Sequence, residues 1–276
     1  MNVLLCLIFV VATATAGPPG IYDKFFNTKS LPILDGHPES RITNGKDAAD
    51  GQFPYQVFLN FTQVENRKYY CGGVLISNDY VLTGAHCTYN ATVVTVVLGT
   101  TQFTSPLVTR TVNSSNFIVN PKFSYDIYGN DIALIKIPPV SFNHYINKVR
   151  LPAITATPST YDGQTAIVSG WGFLNNNATR LSPKLQSATL QVISNIVCDQ
   201  FYTHEIFPDI LCTSTVNGTS ACNGDSGGPL TEVSTGELIG TFSFVPDSGC
   251  GTGEPSGYTR VTYYLDWIKE HSGVYY

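Results

Sequence analysis

From Ile42 onward the chain is a series of short apolar runs that end at Gly, Pro, Asn or Asp. Tyr55–Leu59, Val93–Leu98, Asp131–Ile137, Thr165–Val168 and Leu238–Phe242 are examples, and their length and spacing are those of strands and turns. Only Val261 to His271 carries a helical pattern, with Val261, Tyr264, Leu265 and Ile268 on one face and Lys269 near the end. The pattern predicts an all-β protein, sandwich or barrel, closed by one helix. The 24 Gly and 16 Pro, with 16 Tyr and 15 Phe against a single Met, suit that class.

Charge removes several function classes. The chain has 15 Lys+Arg against 20 Asp+Glu, so it lacks the basic excess of a protein whose main partner is nucleic acid. Charged residues are 13% of the 276, about half the usual share, which argues against a disordered chain.

The first residues point to a compartment. Val3 to Ala16 is an uncharged, largely apolar run, shorter than the roughly 20 residues that span a bilayer. It ends in Ala14-Thr15-Ala16, small residues of the kind a signal peptidase reads. Residues 1–16 are therefore expected to be a cleaved signal peptide and the product to be secreted, with no membrane partner. Residues 17–41 contain Gly17-Pro18-Pro19-Gly20 and Leu31-Pro32 but no cysteine, and read as a flexible leader. Loss of the signal removes Cys6 and leaves Cys71, Cys87, Cys198, Cys212, Cys222 and Cys250. An even number in a secreted chain favours three disulfides, and spacing alone leaves their pairing open. Five Asn-x-Ser/Thr tripeptides, at Asn60, Asn90, Asn113, Asn177 and Asn217, are glycosylation candidates.

Three strings carry chemistry. Leu82-Thr83-Gly84-Ala85-His86-Cys87 supplies an imidazole, Asn130-Asp131-Ile132-Ala133-Leu134 a carboxylate, and Cys222-Asn223-Gly224-Asp225-Ser226-Gly227-Gly228-Pro229-Leu230 a hydroxyl among glycines. Singly, each has a structural reading: a core histidine, a strand-end cap, a tight turn. Together they supply a base, an orienter and a nucleophile. A serine hydroxyl attacks only when an imidazole takes its proton, and the imidazole needs a carboxylate to hold its tautomer. Glycines around Ser226 let backbone N–H groups turn toward a developing oxyanion.

In these strings the chain resembles the chymotrypsin-fold, or trypsin-like, serine peptidases. Thr83-Gly84-Ala85-His86-Cys87 is similar to the family's Thr-Ala-Ala-His-Cys, Asp131-Ile132-Ala133-Leu134 and Gly224 to Leu230 match its other motifs, and Val168-Ser169-Gly170-Trp171-Gly172 is a further signature. The similarity runs from about Arg41 to the C-terminus. It implies two packed six-stranded antiparallel β-barrels and a C-terminal α-helix, the first barrel over about 42–152 and the second over 153–276. It also implies peptide hydrolysis through an acyl-enzyme. His86 would be general acid/base, Asp131 the orienter, Ser226 the nucleophile, and the N–H groups of Gly224 and Ser226 the oxyanion hole. The implied disulfides are Cys71–Cys87, Cys198–Cys212 and Cys222–Cys250.

Arg41-Ile42 stands at the family's activation site, which makes 17–41 an activation propeptide. Cleavage there would free the Ile42 ammonium to pair with Asp225. In the resemblance Ser220 forms the floor of the substrate pocket and Ser243, Phe244, Val245 and Ser256 its walls. A serine floor disfavours Arg or Lys, and bulk at Val245 and Ser256 favours Leu, Met, Phe or smaller groups. Asp247 and Glu254 read as solvated rim charges. These features are similar to arthropod chymotrypsins, elastases and brachyurin-type enzymes, which suggests digestion or extracellular protein breakdown.

No cofactor and no metal are expected. Between Leu98 and Tyr125 there is no Asp or Glu, so the calcium loop of some relatives lacks its ligands. His37, His144, His204 and His271 show no ligand spacing. Expected partners are protein or peptide substrates, an activating trypsin-like protease and proteinaceous inhibitors, and the enzyme is expected to be a monomer. Two rivals stand beside this reading: a non-catalytic homologue that binds without cutting, and a trypsin-like cascade protease.

Overall fold

The structure, a computed structural model, describes residues 42–125, 129–203 and 206–276. The expected signal peptide and propeptide, Arg41, His37 and His204 lie outside the described residues. The described chain opens with a two-residue strand, β1 (Lys46–Asp47). Seven strands then build one antiparallel sheet: β2 (Gln56–Gln63), β3 (Lys68–Leu75), β4 (Tyr80–Thr83), β5 (Ala91–Leu98), β6 (Val108–Asn113), β7 (Phe117–Val119) and β8 (Ala133–Lys136). Their order is β6-β5-β2-β3-β4-β8-β7, a half-barrel in which no ladder among the described residues joins the two edges. The remaining strands are β9 (Thr165–Gly170), β10 (Gln186–Ile193), β11 (Ile210–Thr213), β12 (Pro229–Glu232), β13 (Leu238–Phe244) and β14 (Ser256–Arg260). β9 pairs with both β12 and β10, which closes these six strands into a barrel, and β1 is added at β10. The two barrel-like antiparallel sheets expected from the resemblance are thus present, the second a closed six-stranded barrel and the first a seven-stranded half-barrel.

Alternation along β2 shows how the barrels meet. Val57, Leu59 and Phe61 point into the first barrel with Val94, Val96 and Leu98, as a period of two requires. Phe58, on the opposite face, stacks on Phe103 with ring centroids 4.5 Å apart and meets Trp171 of the second barrel edge-on at 5.6 Å. A strand buried on both faces loses simple polar alternation, which accounts for the unbroken apolar stretch Val57-Phe58-Leu59 in β2.

Both ends of the described chain cross to the other barrel. Ile42 is fully buried in the second core beside Val168, Leu190 and Tyr258. At the far end, Val261–Tyr263 forms a 3₁₀ turn and α-helix Leu265–Ser272 follows. Tyr264, Leu265 and Ile268 pack with Leu82, Leu134 and Leu151 of the first barrel. Gly273 ends the helix in the left-handed region (φ +73°) and donates its N–H to the Lys269 carbonyl at 2.8 Å. The cleft between the barrels is therefore strapped from both sides.

Three disulfides form, Cys71–Cys87, Cys198–Cys212 and Cys222–Cys250, the pairing implied by the resemblance. Of the five glycosylation candidates, Asn90, Asn113, Asn177 and Asn217 are exposed, whereas Asn60 sits mid-strand in β2 between β3 and β5.

Candidate active site

The ladder between β4 and β8 sets the first two groups side by side. Thr83 is opposite Ala133, so the chain leaving β4 meets the chain entering β8. α1 (Ala85–Thr88), a single turn, carries His86 on one side of this junction, and Asp131 lies on the other. His86 Nδ1 is 2.7 Å from Asp131 Oδ2, and the His86 backbone N–H donates to Asp131 Oδ1 at 2.9 Å. Both residues are buried. The bond at Nδ1 fixes the ring orientation and leaves Nε2 as the working nitrogen.

Asp131 stays ionised in spite of its burial. Desolvation alone would raise its pKa, but the His86 imidazole, the Ser243 hydroxyl and the His86 N–H together outweigh that and lower it. Ser243 Oγ donates to Asp131 Oδ2. Ser243, expected as a pocket wall, thus also supports the carboxylate.

Ser226 arrives from the second barrel. Its carbonyl accepts the Gly72 N–H of β3 at 2.7 Å. Cys87 Sγ lies 3.6 Å from that carbonyl oxygen and 3.5 Å from His86 Nε2. The serine and the imidazole therefore share one disulfide as a neighbour. The Cys71 and Cys87 sulfurs and a His86 nitrogen fall within 4.8 Å of one another, but both sulfurs are consumed in a disulfide and are not thiolate ligands.

The turn before Ser226 presents donors to the cleft. Asn223 gives its carbonyl to the Phe173 N–H at 2.8 Å, so the Gly224 N–H of the same trans peptide points the opposite way. Gly224 holds φ +96°, a conformation a side chain would strain. Among the described residues neither the Gly224 nor the Ser226 N–H has a backbone acceptor. Two free N–H groups beside a serine can bind an oxygen that gains negative charge.

Asp225 points away from the cleft. Its carboxylate accepts the N–H groups of Gly172 at 2.7 Å and Cys222 at 2.9 Å, and among the described residues no cation pairs with it. Burial pushes its pKa up to about 7, against the two N–H bonds that lower it.

The expected pocket is uncharged. Ser220 and Ser256 are fully buried, and among the described residues their hydroxyls have no hydrogen-bond partner. Phe244 lies over Gly257 and edge-on to Tyr202 at 5.4 Å, while Val245 packs against the second core. Asp247 is exposed, and Glu254 accepts the Ser248 hydroxyl. One contact had no signal in the sequence: Asn176 bonds both backbone groups of Cys250, at 2.7 and 3.2 Å. Asn176 and Cys250 are 74 positions apart, and nothing local marks the asparagine.

Comparisons with known proteins agree with this geometry. Residues 42–268 match the Trypsin family model. A collagenase from Hypoderma lineatum is 41% identical over 86% of this chain and 89% of its own length. A brachyurin from Leptuca pugilator is 35% identical over 84% of this chain and 99% of its own. The solved structure of HL collagenase superposes with a TM-score of 0.77 at 39% identity, covering 84% of this chain and 99% of that one.

Proposed function

Because the chain belongs to the trypsin family of serine proteases, we propose that it is a secreted endopeptidase made as a precursor, activated after Arg41, and selective for uncharged residues. The observation that carries the hydrolytic reading is the 2.7 Å bond between His86 Nδ1 and Asp131 Oδ2, on an imidazole whose Nε2 and the Ser226 carbonyl both neighbour the Cys87 sulfur. In the proposed reaction His86 Nε2 takes the Ser226 proton as Oγ attacks the peptide carbonyl. Gly224 and Ser226 N–H groups hold the oxyanion. His86 then protonates the leaving amine, and water repeats the sequence to release the acyl group. An organophosphorus fluoride tests this directly. Activated protein should be labelled on Ser226, and an unlabelled Ser226 would favour a non-catalytic homologue.

Selectivity for uncharged residues rests on Ser220. A guanidinium at a buried serine floor would be an unpaired charge, and burying one without a partner is costly. Amide substrates with Leu or Phe before the cut bond should turn over with kcat/KM roughly 100-fold above Arg analogues. Faster cleavage after Arg would refute the pocket and favour the cascade protease. The relative named collagenase makes collagen one substrate to include in the panel.

Activation rests on Asp225. Among the described residues it is a buried carboxylate without a cation, and a new ammonium at Ile42 would supply one. The folded chain keeps a proton on Asp225 up to about pH 7, whereas the unfolded chain releases it near 4. The uncleaved form should therefore lose stability as pH rises from 4 to 7, by on the order of 4 kcal/mol. Cleavage should lower the Asp225 pKa and remove most of that slope. Calorimetry of both forms, on an inactive Ser226→Ala background, should show melting temperatures diverging across this window. Parallel curves would exclude the ion pair.

A further inference from the structure

The catalytic carboxylate belongs by sequence to the first barrel, yet much of its support comes from the second. Thr259 donates its hydroxyl to the Asp131 carbonyl at 2.7 Å. Asp209, which leads into β11, accepts the Asn130 backbone N–H on Oδ2 at 3.0 Å. The same oxygen accepts the Tyr264 hydroxyl at 2.6 Å, and that hydroxyl also lies 3.1 Å from Asn130 Oδ1. Asn130 stands at φ +56°, in the left-handed region where a residue with a side chain needs outside support.

Asp209 is itself anchored. It is buried, and its carbonyl accepts the Arg260 N–H at 2.7 Å. The Arg260 guanidinium donates to the carbonyls of Pro208, Thr160 and Ile210 and to Asn195 Oδ1, all at 2.8–3.0 Å. Burial, and then the bond to Asp209, push the Tyr264 phenol up, so it remains a neutral donor at working pH. Neither Asp209 nor Tyr264 touches His86 or Ser226 by any of these bonds. Their common target is the turn that aims Asp131.

We infer that Asp209, assisted by Tyr264, is a positioning residue that holds the Asn130 turn and so sets Asp131 against His86 across the barrel interface. The inference rests on the triad proposed above. Without Asp209 the Asn130 N–H loses its acceptor inside the fold, and the turn is free to relax. A small displacement of an orienting carboxylate is felt in turnover more than in substrate binding.

The test uses the full chain, activated after Arg41, with peptide amide substrates. Asp209→Ala should lower kcat roughly 10- to 100-fold while KM stays within about threefold. The acid limb of kcat/KM, which reports His86, should shift to lower pH because a misaimed carboxylate stabilises the imidazolium less. Asp209→Asn keeps an acceptor oxygen for both donors and should recover most of kcat. A lower melting temperature with unchanged kcat and unchanged acid limb would make Asp209 a plain interface brace and overturn the inference. If Asp209→Ala does not fold, Tyr264→Phe removes one of the two bonds. It should then lower kcat about two- to fivefold with the same pH shift, and no change in either would equally overturn it. An inert wild type, unreactive toward an organophosphorus fluoride, would instead defeat the proposed function itself.

Discussion

Ser226→Ala should lower kcat by about 10⁶-fold and leave the fold intact, the size known for a serine protease that reached the same triad on an unrelated fold. The loss is large because Ser226 is the proposed nucleophile and an alanine methyl cannot form the acyl intermediate. The Ser226 carbonyl bond to Gly72 and the neighbouring disulfide are backbone and sulfur contacts, so removing one hydroxyl leaves them in place. Circular dichroism and melting temperature should match the wild type within about 2 °C. The residual rate should still exceed that in water, because the two N–H donors remain. A drop of only tenfold would mean that another residue is the nucleophile.

Asp131→Asn should lower kcat by about 10⁴-fold near neutral pH, the size known for the equivalent change in a well-studied member of the family. The physical cause is visible at Oδ2, which receives both the His86 ring and the Ser243 hydroxyl. An amide group offers one oxygen and one NH₂ in place of two acceptors. Three groups point donors at this carboxylate: His86 through both ring and backbone, and Ser243 through its hydroxyl. If the oxygen takes the Oδ1 place and keeps the His86 N–H, the amide NH₂ takes the Oδ2 place, where it faces the imidazole and the Ser243 hydroxyl and stabilises the wrong tautomer. KM should change little, and a rise in pH should recover only part of the rate. A loss confined to KM would mean that Asp131 shapes the pocket and does not orient His86.

Much of this site was legible residue by residue. Local strings named His86 and Ser226 as candidates because each stands in a short pattern of glycines with a cysteine nearby, and Asp131 because Asp131-Ile132-Ala133-Leu134 resembles a family motif. The C-terminal helix was legible from Val261, Tyr264, Leu265 and Ile268, all of them buried, although Val261 lies in a 3₁₀ turn and the α-helix begins only at Leu265. The strand count was harder to read, since β1 has only two residues and β7 only three, too few for any alternation. Ser243 was read as a pocket wall from its place in the string, and its bond to Asp131 spans 112 positions.

By itself the sequence determined the class of fold, because periodicity is a local property, and it named candidates for the reacting groups through short strings that resemble those of a known family. Tertiary structure alone decided what holds those groups in register. Asp209, Thr259 and Tyr264 are common residue types in unremarkable surroundings. They matter through bonds that reach Asn130 and Asp131 across 79, 128 and 134 positions. Likewise, only the fold left Asp225 buried with no cation among the described residues and carried Ile42 into the core of the other barrel. A hydrogen bond depends on where two atoms meet in space, and for pairs this distant in the chain that meeting is set by barrel packing.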